Sequence, residues 1–183
     1  VVHHAICNII GPILDKPQIV DNYACRKGKG LHRAIKTAFH YYQHSKYHYR
    51  LDISKFYYTI DHEILMRLIM RKIKDKKLLD LLRLLLATHE SGREYYQDFA
   101  GDDLFDMIRA RGLPIGNLSS QIFANYYLSG LDHYIRETLH FTCYVRYMDD
   151  IIIFSEDKNS LTKAREAIIH ELSNLRLKPN PRK

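Results

Sequence analysis

The sequence predicts an α+β fold, an antiparallel sheet backed by helices on one face, and three observations predict it. Short β-prone runs are few, runs of helical period are longer, and their order is β-α-α, a hairpin region, then α-β-β-α, not a regular β-α alternation. The 183 residues, 46% of them hydrophobic, suffice for one domain with a true core. No internal repeat and no Ser/Gly linker divides the chain.

Residues 1–29 mix apolar pieces with Gly11-Pro12 and Lys27-Gly28-Lys29-Gly30, which read as turns between short elements. A helix is expected over 31–42 and a short strand at Tyr49-Arg50-Leu51-Asp52-Ile53. Asp61 can cap a following helix that carries Ile64, Leu65, Leu68 and Ile69. A Leu-rich helix is expected over 78–86, after which Gly92, Gly101 and Gly112 punctuate a hairpin region ending at Pro114. One long helix is then expected over 119–139, with Ser120, Phe123, Ala124, Tyr127, Leu128 and Leu131 at helical spacing. The β-rich runs 141–147 and 151–154 flank Met148-Asp149-Asp150 and read as a hairpin, and a last helix is expected over 159–174.

Composition excludes a disordered tail and a collagen-like chain, and no apolar run approaches the roughly 20 residues of a membrane-spanning helix. Cys7, Cys25 and Cys143 are odd in number and far apart, so neither a disulfide framework nor a zinc site is expected. The residues from Val1, which no initiator Met precedes, show no charged segment followed by an apolar one, and a reducing cytoplasm without a membrane partner is the expected setting. Lys and Arg number 28 against 21 Asp and Glu, a formal charge of +7, and 14 Tyr accompany it. That balance favours a polyanionic partner.

The acids carry the chemistry. Asp149 and Asp150 stand side by side between two apolar arms, where like charges repel; solvated turn residues are the plain alternative. Asp52 lies in a short apolar run, where Asp is disfavoured and a buried carboxylate needs a partner. If its strand lies beside the hairpin, Asp52 and Asp149 converge at one sheet edge, and such oxygen donors suit Mg²⁺ with substrate phosphates. Two such ions can activate a 3′-hydroxyl and stabilise a pyrophosphate leaving group.

Three motifs in order then resemble the reverse transcriptases of bacterial retroelements: Arg50-Leu51-Asp52-Ile53-Ser54-Lys55-Phe56-Tyr57, Gly112-Leu113-Pro114-Ile115-Gly116-Asn117-Leu118-Ser119-Ser120-Gln121, and Tyr147-Met148-Asp149-Asp150. The resemblance implies a polymerase palm with partial fingers: residues 1–48 a fingers part, 49–183 mostly palm with a fingers-side insertion. It leaves no room for a thumb after Lys183, so that a fragment or a degenerate copy is one expectation. The implied chemistry is RNA-templated addition of deoxynucleotides to a DNA or RNA primer with two Mg²⁺, for which Mn²⁺ can substitute. An accessory protein is a further expected partner, and a bacterial cytoplasm the expected compartment.

Residue by residue, the resemblance makes Asp52 and Asp149 metal ligands, Asp150 their acidic neighbour, and the Ile53 backbone a neighbour of the metal-bound triphosphate. Tyr57 matches the ring that excludes a ribose 2′-hydroxyl; a packed aromatic is the alternative. Arg26 and Lys29 are candidates to clamp phosphates, against a solvated basic turn. Pro114, Ile115, Gly116 and Gln121 belong to the template and nucleotide motif. Lys183 matches a Lys that can protonate the leaving pyrophosphate. Within the family the chain looks closest to diversity-generating retroelement enzymes, because Ile115 stands where many others have Gln, and lower fidelity is the implied direction. Retron and group II intron enzymes are the near alternatives. An inactive nucleic-acid-binding derivative and a defence protein polymerising without template are the others.

Overall fold

A computed structural model of the chain describes residues 2–181. They gather into two compact units, one built from residues up to 17 with 55–127 and 175–177, the other from 18–54, 128–174 and residues from 178 onward.

The second, the sheet unit, holds α2 (Leu31–Gln43), β1 (Tyr47–Leu51), α8 (Ser129–His133), β2 (Tyr144–Tyr147), β3 (Asp150–Ser155) and α9 (Lys158–Asn174). The strands form one antiparallel sheet in the order β1-β3-β2. Helices cover both of its faces, not one. The reason was present in β3, where Ile151-Ile152-Ile153-Phe154 is apolar without alternation, the pattern of a strand buried on both sides. On one face Ala34 of α2 joins Tyr23 and Val145 in a buried cluster, with Ala38, Tyr41 and Tyr147 packed against it. On the other, α9 packs on β1 and β3 through Leu161, Ala164, Ile168 and Leu172, and Tyr144 reaches α8. Ile151 and Ile153 are fully buried, and each contributes roughly 1.5–3 kcal/mol.

The first, the helical unit, holds α1 (Val2–Asp15), α3 (Phe56–Thr59), α4 (His62–Met70), α5 (Lys76–Ala87), α6 (Leu104–Met107) and α7 (Leu118–Tyr127). Asp61 caps α4 by accepting from the amide of Ile64 at 2.9 Å, as its position in the sequence implies, and Asp75 caps α5 in the same way.

Three expectations give way. Residues 2–15 form a continuous helix through Gly11-Pro12, because Ile6, Ile10 and Leu14 recur at helical spacing and are buried, and α1 packs on α7. The hairpin expected over 92–114 contains no strand; tight turns, an isolated bridge of Arg111 to Asp61 and side chains, not a partner strand, satisfy its backbone. Asp103 and Asp106 form a reciprocal capping box on α6, and Arg111 donates to the carbonyls of Gln97 and Asp106. The helix expected over 119–139 is broken: α7 ends at Tyr127, α8 follows, and Tyr134–Thr138 is wound as a π-helix. Ser129-Gly130, weak helix formers, sit just past the first break. Among the described residues no helix is long and apolar enough to cross a membrane, and no disulfide joins the cysteines.

Candidate active site

In the sheet unit the strand register brings the acids to one end. Leu51 pairs with Ile151 and Tyr147 with Asp150, so Asp52, one step beyond β1, comes opposite the start of β3. Asp52 thus follows its strand instead of lying within it. The residue is 8% exposed, and its carboxylate accepts from the Asn180 side-chain amide at 2.8 Å. The backbone is held as well: Asn180 N–H donates to the Asp52 carbonyl at 2.7 Å, and Ser54 N–H donates to Lys178 at 2.9 Å. Ile53 is buried and bridges to Pro179.

Asp149 occupies a two-residue turn with Met148, and Met148 takes a positive φ of 54°. Glycine normally supplies that conformation at the first central position of a tight hairpin turn, so a methionine there stores strain of about 1–2 kcal/mol. The support lies behind it. Arg146 and Asp132 are both fully buried and joined by two bonds of 2.6 Å; Tyr144 donates to the same carboxylate at 2.6 Å. The remaining arm of Arg146 donates to the Met148 carbonyl at 3.1 Å, so the ion pair grips the turn that carries Asp149. The Asp132 charge holds the Arg146 guanidinium protonated against the cost of burial, while burial itself pushes the Tyr144 hydroxyl well up.

Asp150 is half-exposed and paired with Arg50 at 2.8 Å, and the charges of Asp150 and Asp52 raise the guanidinium further. Among the described residues no group of three or more His, Cys, Asp and Glu is gathered closely enough to hold a metal by itself. The donors at this end are nonetheless carboxylate and carbonyl oxygens, which fit Mg²⁺ completed by substrate phosphates, not a zinc cage. Arg26 and Lys29 are turned onto their own loop: Arg26 donates to the carbonyls of Ile19 and Asn22 at 2.5 and 3.2 Å, and Lys29 to Val20 at 2.7 Å. Lys183 lies outside the described residues.

In the helical unit Tyr57 and the 112–116 loop are stitched together by backbone. Leu113 N–H donates to the Tyr57 carbonyl at 2.7 Å, and Gly112 N–H to Ile60 at 2.8 Å. Gly112 has φ 101°, and a Cβ there would fall 1.9 Å from Ser91 Oγ, so only glycine fits. His62 closes the loop from behind, its Nε2–H donating to the Gly112 carbonyl at 2.6 Å while its own N–H donates to Ala110 at 3.1 Å. Burial keeps the His62 imidazole below its ordinary pKa. Tyr57 is half-buried beside Phe56, with ring centroids 5.8 Å apart. Pro114 is half-buried, Gly116 is exposed, and Gln121 lies half-buried in the first turn of α7. Ile115 is 66% exposed, so it does not pack beneath its loop.

Arg146, Asp132, Asn180 and His62 were missed by the sequence reading. A charge between Val145 and Tyr147 in an apolar run was the available signal for Arg146, the same logic that marked Asp52. Nothing local marks Asn180 or His62, whose roles depend on contacts 128 and 50 residues away.

A family model described as reverse transcriptase (RNA-dependent DNA polymerase) matches residues 3–183. The chain is 26% identical over 140 residues to a COX1/OXI3 intron 1 protein of Saccharomyces cerevisiae, covering 76% of this chain and 16% of that one. It is 28% identical over 114 residues to a 91 kDa protein in the cob intron of Schizosaccharomyces pombe, covering 62% of this chain and 13% of the relative. With a COX1/OXI3 intron 2 protein of S. cerevisiae it shares 30% identity over 103 residues, 56% of this chain and 11% of the relative. The chain therefore spans less than a fifth of the length of these relatives.

Proposed function

The chain belongs to the reverse transcriptase family, and from that premise we propose that it is the catalytic core of an enzyme copying an RNA template into DNA from a primer, with deoxynucleoside triphosphates as substrates. The observation that carries the reading is the convergence of Asp52 and the Asp149 turn at one end of the sheet, Asp52 held by the half-buried Asn180 and the turn by the buried Arg146. Asp52 and Asp149 would hold two Mg²⁺, with the Ile53 carbonyl beside them and Asp150 modulating their charge through Arg50. Bound there, Mg²⁺ lowers the pKa of a primer 3′-hydroxyl and neutralises charge on the triphosphate. By their motifs, Tyr57 would supply the ring that excludes a ribose 2′-hydroxyl, and Pro114, Ile115, Gly116 and Gln121 the template and nucleotide contacts. The names of the relatives support an intron-type RNA as the template.

Single-nucleotide primer extension tests this. Asp149→Asn is nearly isosteric and removes the charge, so extension should fall by orders of magnitude with the circular dichroism spectrum unchanged. Near-normal extension by the variant would defeat the assignment.

One observation favours a second reading, low-fidelity copying of the diversity-generating kind: the exposed side chain at position 115 is apolar and has no hydrogen bond with which to check pair geometry. Ile115→Gln should then lower misincorporation, because a polar group left unpaired by a mismatch costs roughly 1–3 kcal/mol. Sequencing the products decides, and an unchanged error spectrum removes this reading.

A further inference from the structure

The positive charge of the chain is not spread evenly. Residues 22–51 contain seven Lys and Arg, four His and no Asp or Glu. The other 21 Lys and Arg balance all 21 acids, so the entire +7 excess belongs to this one stretch. It folds as the loop before α2, α2 itself and the edge strand β1.

On α2, Ala34, Thr37, Ala38 and Tyr41 turn inward, Ala34 being buried against β2 and the others half-buried. The opposite ridge carries Lys36 and Phe39, with Arg33 and Tyr42 on its flanks, while Ile35 stands at the edge of the groove between α2 and the sheet; Phe39 is 58% exposed. The ridge continues onto β1, where the ring of His48 meets Tyr42 edge-on at 5.9 Å. An exposed apolar ridge alone does not identify its partner. Here it is interleaved with Arg33 and Lys36 on a helix that carries no acid, and the acids that reach the adjoining strand, Asp150 and Glu156, are paired with Arg50 and Lys46, so the α2 face is complementary to a phosphate backbone. Its rings offer π-faces that bases can meet only when unstacked from a duplex.

We propose that the outer face of α2 with the adjoining part of β1 is a docking surface for single-stranded nucleic acid, with phosphates on Arg33 and Lys36 and bases stacked on Phe39 and Tyr42. This goes beyond the polymerase reading, since it needs neither nucleotide nor metal nor the carboxylates. The strand is recognised through its backbone and base faces, so the surface tolerates any sequence.

The experiment is fluorescence anisotropy of the full chain with labelled oligouridine and oligodeoxythymidine of about 20 nucleotides, without nucleotide or divalent metal, across a salt series. Phe39→Ala should weaken binding roughly fivefold or more, and Phe39→Trp should preserve or tighten it, a gain that a folding defect does not produce. The pair Arg33→Gln with Lys36→Gln should reduce the salt slope by about 1.4, at about 0.7 per lost phosphate contact. Lys77→Gln with Lys163→Gln removes the same charge from exposed positions elsewhere and should leave the slope unchanged. Equal loss from both pairs would mean diffuse attraction and overturn the proposal, as would absence of binding at about 50 mM salt. Self-association abolished by Phe39→Ala with oligonucleotide affinity unchanged would assign the face to a second copy of the chain and overturn it too. Because the assay reads no catalysis, its failure is distinct from failure of the polymerase reading.

Discussion

The acids of the sheet unit are fixed by strand register and by an ion pair with no exposed surface, whereas Tyr57 and the 112–116 loop of the helical unit are fixed by backbone hydrogen bonds and one histidine. Both units contain ionic networks, but of different kinds. Arg146 and Asp132 are shut away entirely, while Arg109 binds Asp61, Glu63 and Asp106 and Arg176 binds Asp102 and Asp106 in partly wet surroundings. The difference matches the tasks proposed for them. Groups that hold metal ions need fixed spacing, which strand ends supply; groups that meet changing base pairs can sit on a loop whose tip is open to solvent.

Three single substitutions and one double variant break or sharpen that contrast, the single ones in falling order of effect. Asp132→Ala leaves Arg146 charged and buried without its partner, and should cost about 3–5 kcal/mol, read from the denaturant midpoint. Replacing both residues together, Arg146→Met with Asp132→Leu, should recover most of that loss while still releasing the Met148 carbonyl and slowing nucleotide addition. Stability and activity both restored in the double variant would show that the pair packs the sheet and does not aim the turn.

His62→Gln tests the other unit and should cost about 1–3 kcal/mol by weakening the bond to the Gly112 carbonyl. Amide exchange at Gly112 and Leu113 should quicken, and discrimination against ribonucleotides should fall if the Tyr57 backbone shifts with the loop. Acid should expose the same residue. The folded pKa of His62 lies below its ordinary value of 6.5, so its contribution is complete above that pH and is lost as pH falls from there towards the folded value, because the unfolded chain takes up the proton first. The wild type should lose stability more steeply than His62→Gln over that window, and parallel pH profiles would contradict the assignment.

The smallest effect is expected at Arg50→Gln, which removes an exposed ion pair and should change stability by less than about 1 kcal/mol. If Arg50 only neutralises Asp150, extension by this variant should show a changed Mg²⁺ requirement with little change in the unfolding curve.

How much of this was legible in the sequence depended on the range of the interactions. The hairpin with Asp149, the cap at Asp61 and the extent of α2 follow from residues within a few positions of each other, and the structure has them close to where the pattern puts them. The glycines at 92, 101 and 112 suggested a hairpin because glycine marks a change of direction without saying what lies on either side. At Gly112 the change is required by Ser91, and the segment between is held by Arg111 and Arg176, which no local pattern announces. Pro12 misled in the opposite way: a breaker was outweighed by the buried stripe of Ile6, Ile10 and Leu14. At the site, each acid was visible as a charge out of place, and its partner was not.

The tight turn at Met148 and Asp149 also bears on how such a chain can drift. With Tyr147 paired directly to Asp150, inserting or deleting one residue anywhere between Arg146 and Ile151 would rotate the following side chains to the opposite face, sending Ile151 and Ile153 towards α2 and separating Arg146 from the carbonyl it grips. Side chains at position 148 can be exchanged at modest cost, but the length of this segment is fixed. The stretch from Arg93 to Ile108 is under no such rule, because it pairs with no strand and its turns are closed by short-range bonds such as Tyr95 to Gly92 and Asp106 to Asp103, and it is where additions and losses of chain should accumulate.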